Sequence, residues 1–222
     1  MESDTNQAAE GPKGSPKPMT KILASASTCV VTLLMAGCGG KILYPQYYAL
    51  DIPPAPRQAV SDARLPATLA VRRFETPPYL RQGRIVYRQS PAEIGFYNYH
   101  RWAADPATTV TTAVIDSLRS SRLFSFVKPY DGQSQQDYLL SGRLERLGEM
   151  DYGGSVRVEA NLSADVVNLR TGDTVWTGDA AEILRVDTRN VNSVVEEMSH
   201  AVQKSIDRLV ASLGQQLPVN NR

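Results

Sequence analysis

Histidine and cysteine are scarce in this chain: 222 residues hold two of each, His100 and His200, Cys29 and Cys38. Two histidines a hundred positions apart offer no His-x₃-His pair, so no metal-ligand spacing is present and no metal is expected. A Gly-x-Ser-x-Gly nucleophile elbow is missing, as is a phosphate-binding glycine loop. Gly39-Gly40 and Gly153-Gly154 have no strand–loop–helix setting and read as a tether and a turn. Charge of one sign is lacking too: 24 Lys and Arg against 23 Asp and Glu leave a net +1, which excludes the basic footprint of a nucleic-acid binder. The longest apolar stretch, Ile22 to Ala36, holds roughly 15 residues where a bilayer span needs about 20. No catalytic constellation, cofactor motif or permanent membrane helix is therefore expected. The 42% hydrophobic content is that of an ordinary globular protein.

That short apolar stretch has a function of its own. Lys13, Lys17 and Lys21 precede it, and Leu34-Met35-Ala36-Gly37-Cys38 follows, with small residues just before the cysteine. A positive segment, a short apolar segment and a small-residue cleavage site make a secretory signal. Leu/Met-Ala-Gly-Cys resembles the bacterial lipobox, with Met35 where leucine is usual. The resemblance implies cleavage before Cys38 and acylation of its thiol and freed amine. Two or more acyl chains hold a protein stably to a bilayer, whereas one binds only marginally. Gly39 after the cysteine, where aspartate would signal retention, implies export to the periplasmic face of the outer membrane. Cys29 leaves with the signal, so the mature chain keeps one cysteine, which is acylated, and forms no disulfide within itself. Residues 1–18 are polar and rich in proline and glycine, and Met19 is an alternative start giving a compact positive segment.

Beyond the anchor the pattern predicts an α+β two-layer domain: a mostly antiparallel sheet, ending in a three-stranded meander, packed by two amphipathic helices. Tyr47 to Asp51 is a first strand, and Ile52 to Pro66 a proline-stiffened loop. Strands are expected over Ala67–Phe74, Arg84–Arg88, Ile94–Tyr99 (weakened by Gly95) and Phe124–Lys128. Asp105-Pro106 caps a helix to Ser121 on the stripe Val110, Val114, Leu118. Tyr138–Met150, Ser155–Leu169 and Thr174–Val186 form the meander, joined at Gly153-Gly154 and Arg170–Asp173. Val156, Val158, Ala160, Leu162, Ala164 and Val166 alternate with Arg157, Glu159, Asn161, Ser163 and Asp165, so one face is buried and the other wet. A last helix, capped by Asn190 or Asn192 with Ser193 and Glu196 at capping-box spacing, runs to Leu217-Pro218. The expected divisions are a leader and signal at 1–37, a lipidated tether with first strand and loop at 38–66, the α+β domain at 67–217 and a disordered tail at 218–222.

Few residues invite a functional reading. Phe96-Tyr97-Asn98-Tyr99-His100-Arg101-Trp102 either packs the junction of sheet and helix, with His100 and Arg101 over a surface edge, or forms a contact rim, since Tyr, Trp and Arg are enriched in binding hot spots. His200 lies at the edge of a helical stripe, and Glu196-Glu197 are adjacent and solvated. Arg72, Arg73, Arg81, Arg84 and Arg88 form a loose basic cluster, read as a wet face before an anion site.

Tyr47-Tyr48-Ala49-Leu50 soon after a lipobox, then Arg84-Ile85-Val86-Tyr87-Arg88, then Tyr97-x-Tyr99-His100-Arg101-Trp102-Ala103 before a proline-initiated helix, resembles the ABC-type transport auxiliary lipoproteins. The likeness runs from about Tyr47 to Leu213 and includes Leu140-Ser141-Gly142. It implies a non-enzymatic role without cofactor: a lipoprotein that accompanies MCE-domain proteins and ABC and permease components moving lipids between the two membranes, sometimes as a homo-oligomer. The family supplies no catalytic residues. Tyr87, Arg88, Tyr97, Tyr99, His100, Arg101 and Trp102 match its motifs and are the candidate partner or lipid contacts, with Cys38 the candidate lipidation site. The alternative to this role is a structural envelope lipoprotein, with a lipid-tethered periplasmic hydrolase behind it.

Overall fold

The computed structural model describes residues 43–53, 65–133 and 135–217. The signal, Cys29, Cys38, most of the proline-rich loop and the tail 218–222 lie outside the described residues. The folded unit begins at Tyr44. It comprises β1 (Gln46–Tyr48), β2 (Leu65–Val71), β3 (Arg84–Arg88), β4 (Gly95–Trp102), helix α1 (Pro106–Ser121), β5 (Phe124–Pro129), β6 (Tyr138–Tyr152), β7 (Ser155–Asn168), β8 (Thr174–Arg185) and helix α2 (Val191–Gln216), with one 3-10 turn at Pro78–Gln82.

The expected α+β architecture is present: the described residues hold an eight-stranded sheet and two helices. The antiparallel meander β6–β7–β8 pairs along nearly its whole length. What local pattern did not foretell is how the other strands join it. The free side of β6 is divided between two partners. Its first residues pair in parallel with β2, which carries β5 beyond it. Its last residues pair in parallel with β3, which carries β4 and then β1. The sheet forks at β6 into two wings.

Between the wings the backbone groups of β6 still need partners, because an unpaired buried amide or carbonyl is costly. Glu75 bridges to Arg143, accepting from Leu144 N and donating to Gly142 O at 2.9 Å each. Tyr79, from the 3-10 turn, donates its hydroxyl to Glu145 O at 3.1 Å. Glu145 is the extra residue of a bulge between Leu144 and Arg146. Opposed residues share a face. Before the bulge Leu140 and Leu144 face the core opposite Val166 and Leu162; after it Leu147 and Glu149 do, opposite Ala160 and Val158.

Helix α1 forms where expected. Asp105 accepts from Ala107 N at 2.7 Å, Pro106 occupies the first turn, and Val110, Val114 and Leu118 are buried. Its threonines are poor helix formers, yet Thr111 has a specific partner: the hydroxyl donates to Ala107 O at 2.6 Å and accepts from Phe74 N at 2.9 Å, fixing the exit of β2 against the helix. Helix α2 is capped by Asn190, which accepts from Ser193 N at 2.9 Å. Ser193 is therefore inside the first turn rather than a cap. Beneath the helices, Gly142, Ala164 and Gly178 stand opposite one another across β6, β7 and β8. Aromatic rings fill the space these small residues leave: an added β-carbon would lie 2.4 Å from the Phe74 ring at Gly142 and 2.4 Å from the Trp176 ring at Gly178.

Candidate functional site

The wing β3–β4–β1 holds the candidate contact residues, and the structure separates them. A register shift places three extra residues on β4 between its pairings at Phe96 and Arg101, and this brings Tyr97 and His100 together. Their rings meet edge to face at 5.4 Å. Tyr87 approaches Tyr97 in the same manner at 5.2 Å, and its own ring covers Gly95, where a β-carbon would come within 2.4 Å. The glycine that weakens the strand in sequence is the space Tyr87 needs.

Two residues that sequence reasoning missed complete the cluster. Tyr48, on β1, lies 2.9 Å from His100 Nδ1 and donates to Gln46 Oε1 at 2.8 Å. Glu149, 4% exposed, accepts the Tyr97 hydroxyl at 2.6 Å. Burial raises the Glu149 carboxyl above its usual range, against the lowering effect of the Tyr97 hydrogen bond. Burial first, and then donation to this carboxylate, push the Tyr97 phenol well above its ordinary value. Asp151, nearby in charge terms, is bridged by Arg189. No local signal marks Glu149, because the bulge at Glu145 is what turns it inward.

The other candidates lie elsewhere. Arg88 points away from Tyr87, as alternation requires, and its guanidinium sits 3.4 Å from the Tyr79 hydroxyl. Tyr99 is 46% exposed. Arg101 is partly exposed and stands opposite Arg84 on β3 and Tyr47 on β1. Trp102 fits the packing alternative of the sequence reading rather than the contact rim: at 7% exposure it belongs to the apolar core. The aromatics pack and the flanking polar residues line the edge. His200 is exposed beside Glu197, and among the described residues no metal-holding cluster is present.

The basic cluster also disperses. Arg73 pairs with Asp105 at 3.0 Å, and Arg72 lies over the Tyr130 ring. Both line a groove of about 280 Å³ on the wet face, with Glu75, Arg143, Ser163 and Asp165. Arg143 bridges Glu75 at 3.2 Å and Glu145 at 3.1 Å. Burial raises the Asp165 carboxyl, partly offset by Arg72. Mixed charges in an open groove suit a polar surface. By contrast, the apolar gap under the helices, between Phe74, Trp176, Ile206 and Leu213, is about 10 Å³.

The architecture has relatives of known structure. A protein of Xanthomonas campestris assigned to family DUF330 superposes with a TM-score of 0.66 at 17% identity, over 77% of this chain and 96% of its own. A second, uncharacterized protein gives 0.58 at 15% identity, over 77% and 99%. These likenesses concern the fold alone. No curated protein matches the chain significantly. The family model for the ABC-type transport auxiliary lipoprotein component matches residues 48–215, from the hydroxyl partner of His100 to the last turn of α2, and to that family this chain belongs.

Proposed function

We propose that this chain is a membrane-anchored periplasmic docking lipoprotein of an MCE/ABC-type lipid transport system, without catalysis or cofactor. Acylated Cys38 holds it at the periplasmic face of the outer membrane, and the folded unit engages an MCE-domain protein with its ABC and permease partners. The observation that carries this reading is the close packing beneath the helices, among the described residues. Small-molecule sites occupy about 300–1,000 Å³ and are mostly apolar, whereas the apolar gap beneath the helices is about 10 Å³. A lipid does not fit there, which favours an accessory that positions other components over one that carries cargo. The charged groove along Arg72, Arg73, Arg143 and Asp165 supplies a surface suited to a polar protein partner.

A crosslinked pull-down of the acylated protein from envelopes, with a Cys38→Ala control, tests the proposal. Recovery of an MCE-domain protein and its ABC partners with the acylated chain supports it. Recovery of cell-wall proteins alone overturns it in favour of a structural envelope lipoprotein.

A further inference from the structure

We propose that the outer face of the β1–β4–β3 wing rests on the membrane and binds the phosphates of anionic phospholipids. The inference builds on the Cys38 anchor and assigns which side of the domain meets the lipid.

Three residues carry it. Tyr47 stands opposite Arg101, and Arg101 opposite Arg84, so the three form a row across β1, β4 and β3. Opposed residues share a face. The next pair along, Tyr48 with Trp102, turns to the core, which places the row on the side away from it. Like charges directly opposite each other on neighbouring strands destabilise a sheet. Several arginines elsewhere meet carboxylates, among them Arg73, Arg143, Arg146, Arg189 and Arg208. Arg84 and Arg101 have neither an ion pair nor a side-chain hydrogen bond among the described residues. Two facing cations without an acid are suited to an anion from outside the chain, and guanidinium binds phosphate in a bidentate manner.

The position of the anchor identifies the source of that anion. Tyr44 is six residues from Cys38, so a fully extended connection reaches at most about 20 Å. Whatever bilayer holds the acyl chains therefore lies within that reach of the start of β1. The side chains there have the chemistry of a headgroup layer: Tyr44 is 77% exposed and Tyr47 64% exposed. Tyrosine concentrates at membrane–water boundaries, where its ring is apolar and its hydroxyl wet. Basic residues add attraction to an anionic surface that falls off within a Debye length.

The test uses the acylated full chain in vesicles of phosphatidylcholine, with or without phosphatidylglycerol, and brominated lipid as a shallow fluorescence quencher. One variant carries Tyr47→Trp as reporter; another carries Phe126→Trp on β5, an exposed position at the opposite end of the strand order. Quenching of the first reporter should exceed that of the second and should grow with phosphatidylglycerol. Adding Arg84→Ala and Arg101→Ala should cut the population lying on the membrane by about fivefold per arginine. Equal quenching of both reporters, or no response to phosphatidylglycerol, overturns the proposal. If the chain floats with vesicles but its reporters fail, the lying face is wrong; if it does not float at all, and behaves as Cys38→Ala does, the anchor itself is wrong.

Discussion

The two wings that diverge from β6 are built on different chemistry. The β2–β5 wing is fixed mainly through apolar contacts, Phe74 over Gly142 and the buried face of α1, with one threonine hydroxyl shared between helix and strand. The β3–β4–β1 wing instead has rings set edge to face and a phenol held by a buried carboxylate. Its outer side carries unneutralised arginines. Both wings hang on the same strand, so the difference lies in what each must do besides fold. The first secures the sheet to its helices. The second holds a polar surface in a fixed shape.

Truncating one large core ring in each wing should give the largest effects. Phe74→Ala and Trp102→Ala should each lose about 3–5 kcal/mol in denaturant unfolding, as buried aromatic deletions do. Near-neutral stability in Trp102→Ala would return that residue to the surface and dissolve the contrast. Gly178→Ala, which drives a methyl into the Trp176 ring, should cost about 1–3 kcal/mol by overpacking. Tyr97→Phe should be milder, about 1–1.5 kcal/mol, by removing the hydrogen bond to Glu149 while keeping the ring.

The smallest effect depends on pH. Burial raises the folded-state affinity of Glu149 for its proton. The folded chain therefore binds that proton more tightly than the unfolded chain. This contribution is fully present below the unfolded pKa and is lost as pH rises through the folded one. Glu149→Gln, which keeps an acceptor for Tyr97, should melt higher than the parent at pH 8 and converge with it near pH 4. Parallel melting curves at every pH would separate Glu149 from the wing's polarity.

How far the sequence revealed this follows from the range of each signal. Helix α1 and strand β3 lie where their residues place them, because capping by Asp105-Pro106 and a β-branched run between arginines are local features. The meander is legible for the same reason, its period of two extending unbroken through Val156 to Val166. The fork is not legible, since parallel pairing of β2 and β3 with β6 joins segments more than sixty positions apart and leaves no local signature. The site divides likewise: Tyr97 and His100 are neighbours in sequence, but Tyr48 is 52 residues from His100, and Glu149 is 52 from Tyr97. Trp102 illustrates the converse limit, because an aromatic beside His100 and Arg101 can be read as core, the favoured reading, or as a hot spot.

The short β1 strand also matters mechanically. It is held to β4 by three residue pairs at one end of the strand order, while the broad meander begins at β6, where the sheet forks. A pull between the anchor and a partner seated on the meander would load β1 first. Beyond β1 the chain is held by the contact of Asp51 with Ser199 and by Leu50 in the core, so these would be loaded next. The short β1 edge, with three residue pairs, is thus the first part of the sheet to bear a load applied from its N-terminal side.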